Sequence, residues 1–122
     1  MSINIRKGMR FEKQARDYLC AQGLRLLRSN YHCRFGEIDL IMQDKDQLCF
    51  IEVRYRADSG FGGPAESVDW AKCRKLVLTA DHFLSRHPDY QDWHCRFDVV
   101  TISGKLVPRV RWLIDAFSAD DF

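Results

Sequence analysis

Apolar residues recur at helical intervals from about Gly8 to Gln22: Phe11, Ala15, Tyr18 and Leu19 fall on one stripe, and Gly23 supplies a stop signal. Three stretches of strand character follow. Leu24 to Cys33 is a mixed apolar and basic run. In Gly36 to Gln43, Ile38, Leu40 and Met42 alternate with Glu37, Asp39 and Ile41, and in Gln47 to Arg56, Cys49, Ile51 and Val53 alternate with Phe50, Glu52 and Arg54. Asp44-Lys45-Asp46 is a polar turn that predicts a hairpin between the last two. Asp58 to Pro64, with Gly60, Gly62 and Gly63, reads as a loop. A second helix is predicted from about Ala65 or Ser67 to Arg86, carrying Leu78, Ala80, Phe83 and Leu84 and ended by His87-Pro88-Asp89. Cys95 to Ser103 and Val107 to Ile114 are two further strands, turned at Gly104-Lys105. The order αβββαββ, with a right-handed strand–helix–strand crossover, predicts an α/β fold whose mixed central sheet is flanked by helices.

The 122 residues are 46% apolar and 30% charged, which suits one globular domain over residues 1–122. No apolar run approaches the roughly 18 residues a membrane helix needs, and Met1 to Phe11 has no apolar stretch of signal-peptide kind, so a cytoplasmic protein without a membrane partner is expected. The net charge of +2 conceals an asymmetry: residues up to Arg34 carry +6 and the remainder −4. A basic first third hints at a polyanionic partner, though a solvated helix face gives the same arithmetic. The five cysteines are odd in number and form no CxxC, so reduced thiols are expected. His32-Cys33 and His94-Cys95 resemble half-sites for zinc. On strands, however, adjacent residues point to opposite faces, and no zinc is expected.

The informative chemistry lies in Gly36-Glu37-Ile38-Asp39-Leu40 and Phe50-Ile51-Glu52-Val53-Arg54. Alternation puts Glu37 and Asp39 on one face, and Glu52 and Arg54 on one face. If the strands pair through the short turn, Asp39 and Glu52 meet on the same side, with Ile38, Leu40, Ile51 and Val53 buried on the other. Two facing carboxylates repel unless a positive charge sits between them. A divalent cation such as Mg²⁺ or Mn²⁺ answers that, and such a site suits phosphodiester hydrolysis. Arg54 would then stabilise charge on the phosphate. A plain hairpin with solvent-facing acids fits the same spacing.

An Asp, a hairpin's length and then Glu-x-Lys on a central strand resembles the PD-(D/E)xK nuclease superfamily, with its restriction-endonuclease-like αβββαβ core. Gly8, Glu12, Ala15, Leu19, Gly23, Asn30, the block from Gly36 to Ile41, Phe50-Ile51-Glu52-Val53, Arg56, Lys72, Arg96-Phe97-Asp98-Val99 and Ala116-Phe117 resemble the YraN family of small bacterial proteins, related to archaeal Holliday-junction resolvases. The resemblance covers nearly the whole chain. It implies that Asp39 and Glu52 are metal-binding carboxylates, that Glu12 completes the metal shell or orients a water, and that Glu37 has a supporting or metal role. It also implies that Lys72 faces the site from the second helix. The nucleic acid, DNA ahead of RNA, would be held by Arg10, Lys13, Arg16, Arg34, Arg56, Lys72 and Lys75. A homodimer is implied by the related resolvases.

One residue departs from the pattern: position 54 is Arg where the family motif has Lys. Lysine can give up its proton and assist a water, whereas arginine serves as a charge clamp and phosphate donor. The catalytic set expected is therefore Asp39, Glu52, Arg54 and Glu12, with Lys72 or Lys75 reaching in from the helix. The rival readings are a nucleic-acid-binding module that lost turnover and a protein-interaction domain. The loop from Gly60 to Gly63 is expected to be a flap or a plain connector, with Phe61 and Tyr55 available to stack on a base. Trp70, Trp93 and Trp112 are expected in the core or an interface.

Overall fold

The computed structural model describes residues 3–56, 69–104 and 106–121, with side chains described from residue 9 onward. Two helices, α1 (Ile3–Ala21) and α2 (Trp70–Arg86), accompany five strands: β1 (Arg25–Cys33), β2 (Gly36–Asp44), β3 (Gln47–Arg56), β4 (His94–Ser103) and β5 (Arg109–Phe117). The strands form one mixed sheet in the order β1-β2-β3-β4-β5. Only β3 and β4, the pair bridged by α2, run parallel; the other neighbours are antiparallel. The fold is thus the mixed α/β sheet with two helices that the patterning predicts. Among the described residues no helix is long and apolar enough to cross a membrane.

Strand alternation divides the core in two. On one face Leu40, Met42, Cys49, Ile51, Val100 and Ile102 pack with Ala15 and Leu19 of α1. On the other, Ile41, Leu48, Phe50 and Phe97 pack with Cys73, Leu76, Ala80 and Phe83 of α2. Burying each large aliphatic side chain contributes about 1.5–3 kcal/mol, so these two stripes hold the helices against the sheet. Ile38 belongs to the α2-side cluster and not, as strict alternation predicts, to the face of Leu40.

The helix ends follow their sequence signals, with two shifts. Gly23, at φ 101°, closes α1, and the Leu24 amide returns to the Leu19 carbonyl at 3.1 Å. At its other end α1 continues through Gly8 to Ile3, because one glycine costs a helix only about 1 kcal/mol. Helix α2 starts at Trp70, later than predicted, because Asp69 is extended and its side chain caps the Lys72 amide at 3.2 Å. Strand β5 runs to Phe117, beyond the predicted end at Ile114. A register shift opposite Phe97–Val99, with Asp115 at φ 56°, resets its phase so that Ile114 is exposed and Phe117 buried.

A buried polar network locks β5 to the sheet. Asp98 is 1% exposed and accepts from Arg96 Nε at 3.1 and 3.2 Å, Trp112 Nε1 at 3.0 Å and the Asp115 amide at 2.9 Å. Arg96 also reaches Asp44 at 2.9 Å and Gln47 at 2.5 Å. Trp112 is therefore a core residue, Trp93 packs half-buried on Tyr90, and Trp70 is exposed on α2. All five cysteines are free. His32-Cys33 ends β1 beside Gly36, whereas His94-Cys95 begins β4 beside Gln47 and Leu48, so the register carries the two pairs to opposite ends of the sheet.

Candidate metal centre

The β2–β3 hairpin turns at Lys45 and Asp46, and its ladder runs from the Asp44–Gln47 pair to the Leu40–Ile51 pair. Beyond it the Asp39 carboxylate takes the place of a backbone acceptor: its Oδ2 receives the Val53 amide at 2.8 Å. The two strands part here, and α1 fills the gap from the other face. Phe11 stacks on Tyr55 with ring centroids 4.1 Å apart and 6° between planes. That contact sets the height of α1 on the sheet, and the next residue, Glu12, comes to the Asp39 carboxyl. Tyr55 is consequently committed to Phe11 on the α1 face, not to a nucleobase. Phe61 and the rest of the glycine-rich loop lie outside the described residues.

Glu12, Glu37 and Asp39 each place a carboxylate oxygen within 4.8 Å of the others. Glu37 and Asp39 also line a cleft of about 400 Å³ with Glu52, Asp69, Lys72 and Lys75. Asp39 opens partly to this cleft but is otherwise enclosed by protein. Burial pushes its carboxyl up to about 7, and the neighbouring Glu52 and Glu12 carboxylates add to that shift while the Val53 amide opposes it. Glu52, 6% exposed, sits 2.9 Å from Lys72 Nζ through one oxygen. Its other oxygen is buried, has no hydrogen bond among the described residues, and lies 3.7 Å from the Arg54 guanidinium.

The expected residues are thus distributed unevenly. Asp39 and Glu12 meet, and Lys72 faces Glu52 from the first turn of α2, where the Asp69 cap holds it. Glu37, expected in a supporting or metal role, brings a carboxylate oxygen within 4.8 Å of Glu12 and Asp39, while Glu52 is drawn partly toward Lys72. Asp69 escaped the sequence reading. Its signal was the Asp-Trp start of an apolar helical run, which marks a cap but says nothing of the cleft. Gly36, at φ 153°, lets β2 begin against α2: a Cβ there would stand 3.2 Å from Thr79 Oγ1.

The expected nucleic-acid contacts fall into two groups. Lys72 and Lys75 line the cleft, and Arg56 is half-buried at the end of β3. Arg10, Lys13 and Arg16 stand on α1 around Glu12. Arg10 lies 5.6 Å above the Phe11 ring, and Arg16 is 3.8 Å from Asp17. Arg34 lies over Phe35, 4.7 Å from the ring centroid, at the β1–β2 turn.

The family model described as "Uncharacterised protein family UPF0102" matches residues 11–102, which takes in every acid of the cleft. The chain belongs to the UPF0102 family. UPF0102 relatives include a protein of Psychromonas ingrahamii, 52% identical over 111 residues, or 91% of this chain and 88% of the relative. Another, from Xanthomonas oryzae pv. oryzae, is 52% identical over 94% of this chain and 93% of its own. A UPF0102 protein of Nitrosococcus oceani is 50% identical over 93% of each chain. The YraN resemblance and the UPF0102 match describe one family.

Proposed function

We propose that this UPF0102 protein is a divalent-metal-dependent nuclease with a restriction-endonuclease-like core, acting on the phosphodiester backbone of branched or otherwise structured DNA. The observation that carries this reading is the convergence of Glu12, Glu37 and Asp39 within 4.8 Å, beside a buried Glu52. Burial, with the neighbouring acids adding to it, raises the Asp39 carboxyl and costs stability, and a bound cation would relieve it. The donor set fits: it is all carboxylate, which suits hard Mg²⁺ or Mn²⁺, and Glu52 offers a buried oxygen with no hydrogen bond among the described residues. Glu12, Glu37, Asp39 and Glu52 would hold the ion. When bound, it would polarise the scissile phosphate and lower the pKa of a water.

The chain's own groups prepare that chemistry. The Val53 amide fixes the orientation of Asp39, and the Lys72 ammonium fixes one oxygen of Glu52. Arg54 presents its guanidinium beside Glu52, where it donates to phosphate oxygens and balances charge on the phosphate. DNA ahead of RNA and a homodimer go with this reading by resemblance to the related resolvases, and a cytoplasmic location goes with it from the sequence. Incubation with nicked, flapped and four-way DNA plus Mg²⁺ or Mn²⁺ tests it. Cleavage lost in Asp39→Ala and Glu52→Gln is expected; no cleavage above the Asp39→Ala background refutes it. The arginine at position 54 favours a second reading, a nucleic-acid-binding protein without turnover. Cleavage by Arg54→Lys, with none by the natural chain, would select that one.

A further inference from the structure

Register across three strands brings together residues that are far apart in the chain. On the α2 face of the sheet, Arg54 of β3 pairs with Thr101 of β4, which pairs with Arg111 of β5. One step further along, Arg56 pairs with Ser103, which pairs with Arg109. Directly paired residues share a face, and so do residues two apart on a strand. All four arginines therefore stand on one side of the sheet, in two rows. The row before them on the same face is Glu52, Val99 and Leu113, so the arginines continue directly from the acid cleft.

The alternation of β5 makes the arrangement specific. Val110 and Trp112 turn to the other face and pack with the α1-side core, leaving Arg109 and Arg111 exposed on the α2 face. Among the described residues no acid pairs with Arg109 or Arg111, whereas Arg54 stands 3.7 Å from one oxygen of Glu52, whose other oxygen is held by Lys72. Residues two apart on a strand are about 6.7 Å apart, and β3 and β5 are separated by about 9.5 Å. Thr101 and Ser103 between them are small, so no bulky side chain divides the two pairs of guanidinium groups. Arg109 and Arg111, with Arg54 and Arg56 in the same two rows, present positive charge at a repeat that suits a ligand repeating its negative charge.

We infer that Arg54, Arg56, Arg109 and Arg111 form a phosphate-binding grid that carries the nucleic-acid backbone from the acid cleft across β4 to the edge strand β5. This rests on the nuclease reading for the identity of the polyanion, and it adds β5 as a binding element. Arg54 serves at the junction of grid and cleft, whereas Arg109 and Arg111 hold substrate without touching the reacting phosphate.

The test is equilibrium binding of a labelled four-way DNA, phosphorothioate-protected against cleavage, by the full chain at several salt concentrations with Mg²⁺ present. In Arg109→Gln/Arg111→Gln, loss of two phosphate contacts should lower the slope of log affinity against log salt by about 1.8. A charge-matched control, Arg25→Gln/Arg86→Gln, alters exposed arginines at the start of β1 and the end of α2 and should keep the natural slope. Both pairs should retain the natural circular-dichroism spectrum and the same thermal shift with Mn²⁺. An unchanged slope in the β5 pair, an equal loss in both pairs, or no binding by the natural chain at low salt overturns the grid. Failure of the nuclease reading shows separately, as absent cleavage and absent Mn²⁺ shift while grid-dependent binding persists.

Discussion

Replacing Asp39 with Asn should make the metal-free protein more stable at neutral and alkaline pH. The side chain keeps its shape and an oxygen to accept the Val53 amide, so the change is mainly one of charge. In the native chain the carboxyl titrates at about 7 against an ordinary 3.8. A carboxyl whose folded pKa is raised favours the folded state fully below pH 3.8, and that contribution drains away as pH rises through 7. A shift of about three units corresponds to about 4 kcal/mol at most. Asp39 opens partly to the cleft, and solvent screening there reduces the expected gain in Asp39→Asn to about 1–2 kcal/mol. For a domain of this size that is about 3–10 °C in Tm. Thermal unfolding followed by circular dichroism in EDTA, from pH 4.5 to 8.5, reads it directly. The variant and the natural chain should nearly coincide at pH 4.5 and diverge progressively up to about pH 7.5. Adding Mn²⁺ should raise the Tm of the natural chain and leave the variant almost unmoved. A variant destabilised equally at every pH would refute the view that Asp39 is a desolvated acid among acids.

Other perturbations separate the cleft from its supports. Lys72→Ala removes a half-exposed cation from Glu52, so stability should fall by less than about 1 kcal/mol while cleavage drops at least tenfold. Gly36→Ala forces a Cβ to 3.2 Å from Thr79 Oγ1 at a φ of 153°, and urea unfolding should register a loss of about 1–3 kcal/mol. Its Mn²⁺ affinity should weaken as well, because Glu37 follows directly in the chain. Asp98→Asn leaves the buried Arg96 with a weaker partner and should cost about 3–5 kcal/mol in urea, with the Mn²⁺ shift retained in the folded fraction.

The hairpin and the facing of Asp39 with Glu52 were legible because both depend on local rules: alternation of period two and a polar turn of fixed length. Glu12 was placed only by resemblance. Its position depends on where α1 crosses the parted ends of β2 and β3, which the Phe11–Tyr55 stack decides across 44 positions of sequence. The phase of Tyr55, shared with Ile51 and Val53, assigns it to the α1 face, where it meets Phe11. Alternation groups Glu37 with Asp39, and the two carboxylates do come together. The reach of Glu37 to Glu12 depends on the course of β2 beyond the last ladder pair, which alternation does not encode. Arg109 and Arg111 went unremarked for a related reason. Their strand was predicted, but which β3 residues lie in their rows follows only from the register of two strand pairs, one of them parallel.

Two clusters of buried charge in this small fold obey opposite electrostatic rules, and the contrast separates scaffold from site. Around Asp98, the carboxylate meets a guanidinium, an indole N–H and a backbone amide, and Arg96 has Asp44 and Gln47 besides. Donors and acceptors nearly balance there, and such a network gains nothing from a ligand. Around Asp39, the carboxylates of Glu12, Glu37 and Glu52 crowd together, and among the described residues Lys72 and Arg54 both pair with Glu52. On the proposed reading, an acid excess next to a row of arginines on the same sheet face would suit a cation in the cleft and an anion beyond it. A metal-bound phosphodiester strand supplies both at once, and so Mn²⁺ and DNA should each raise the affinity for the other.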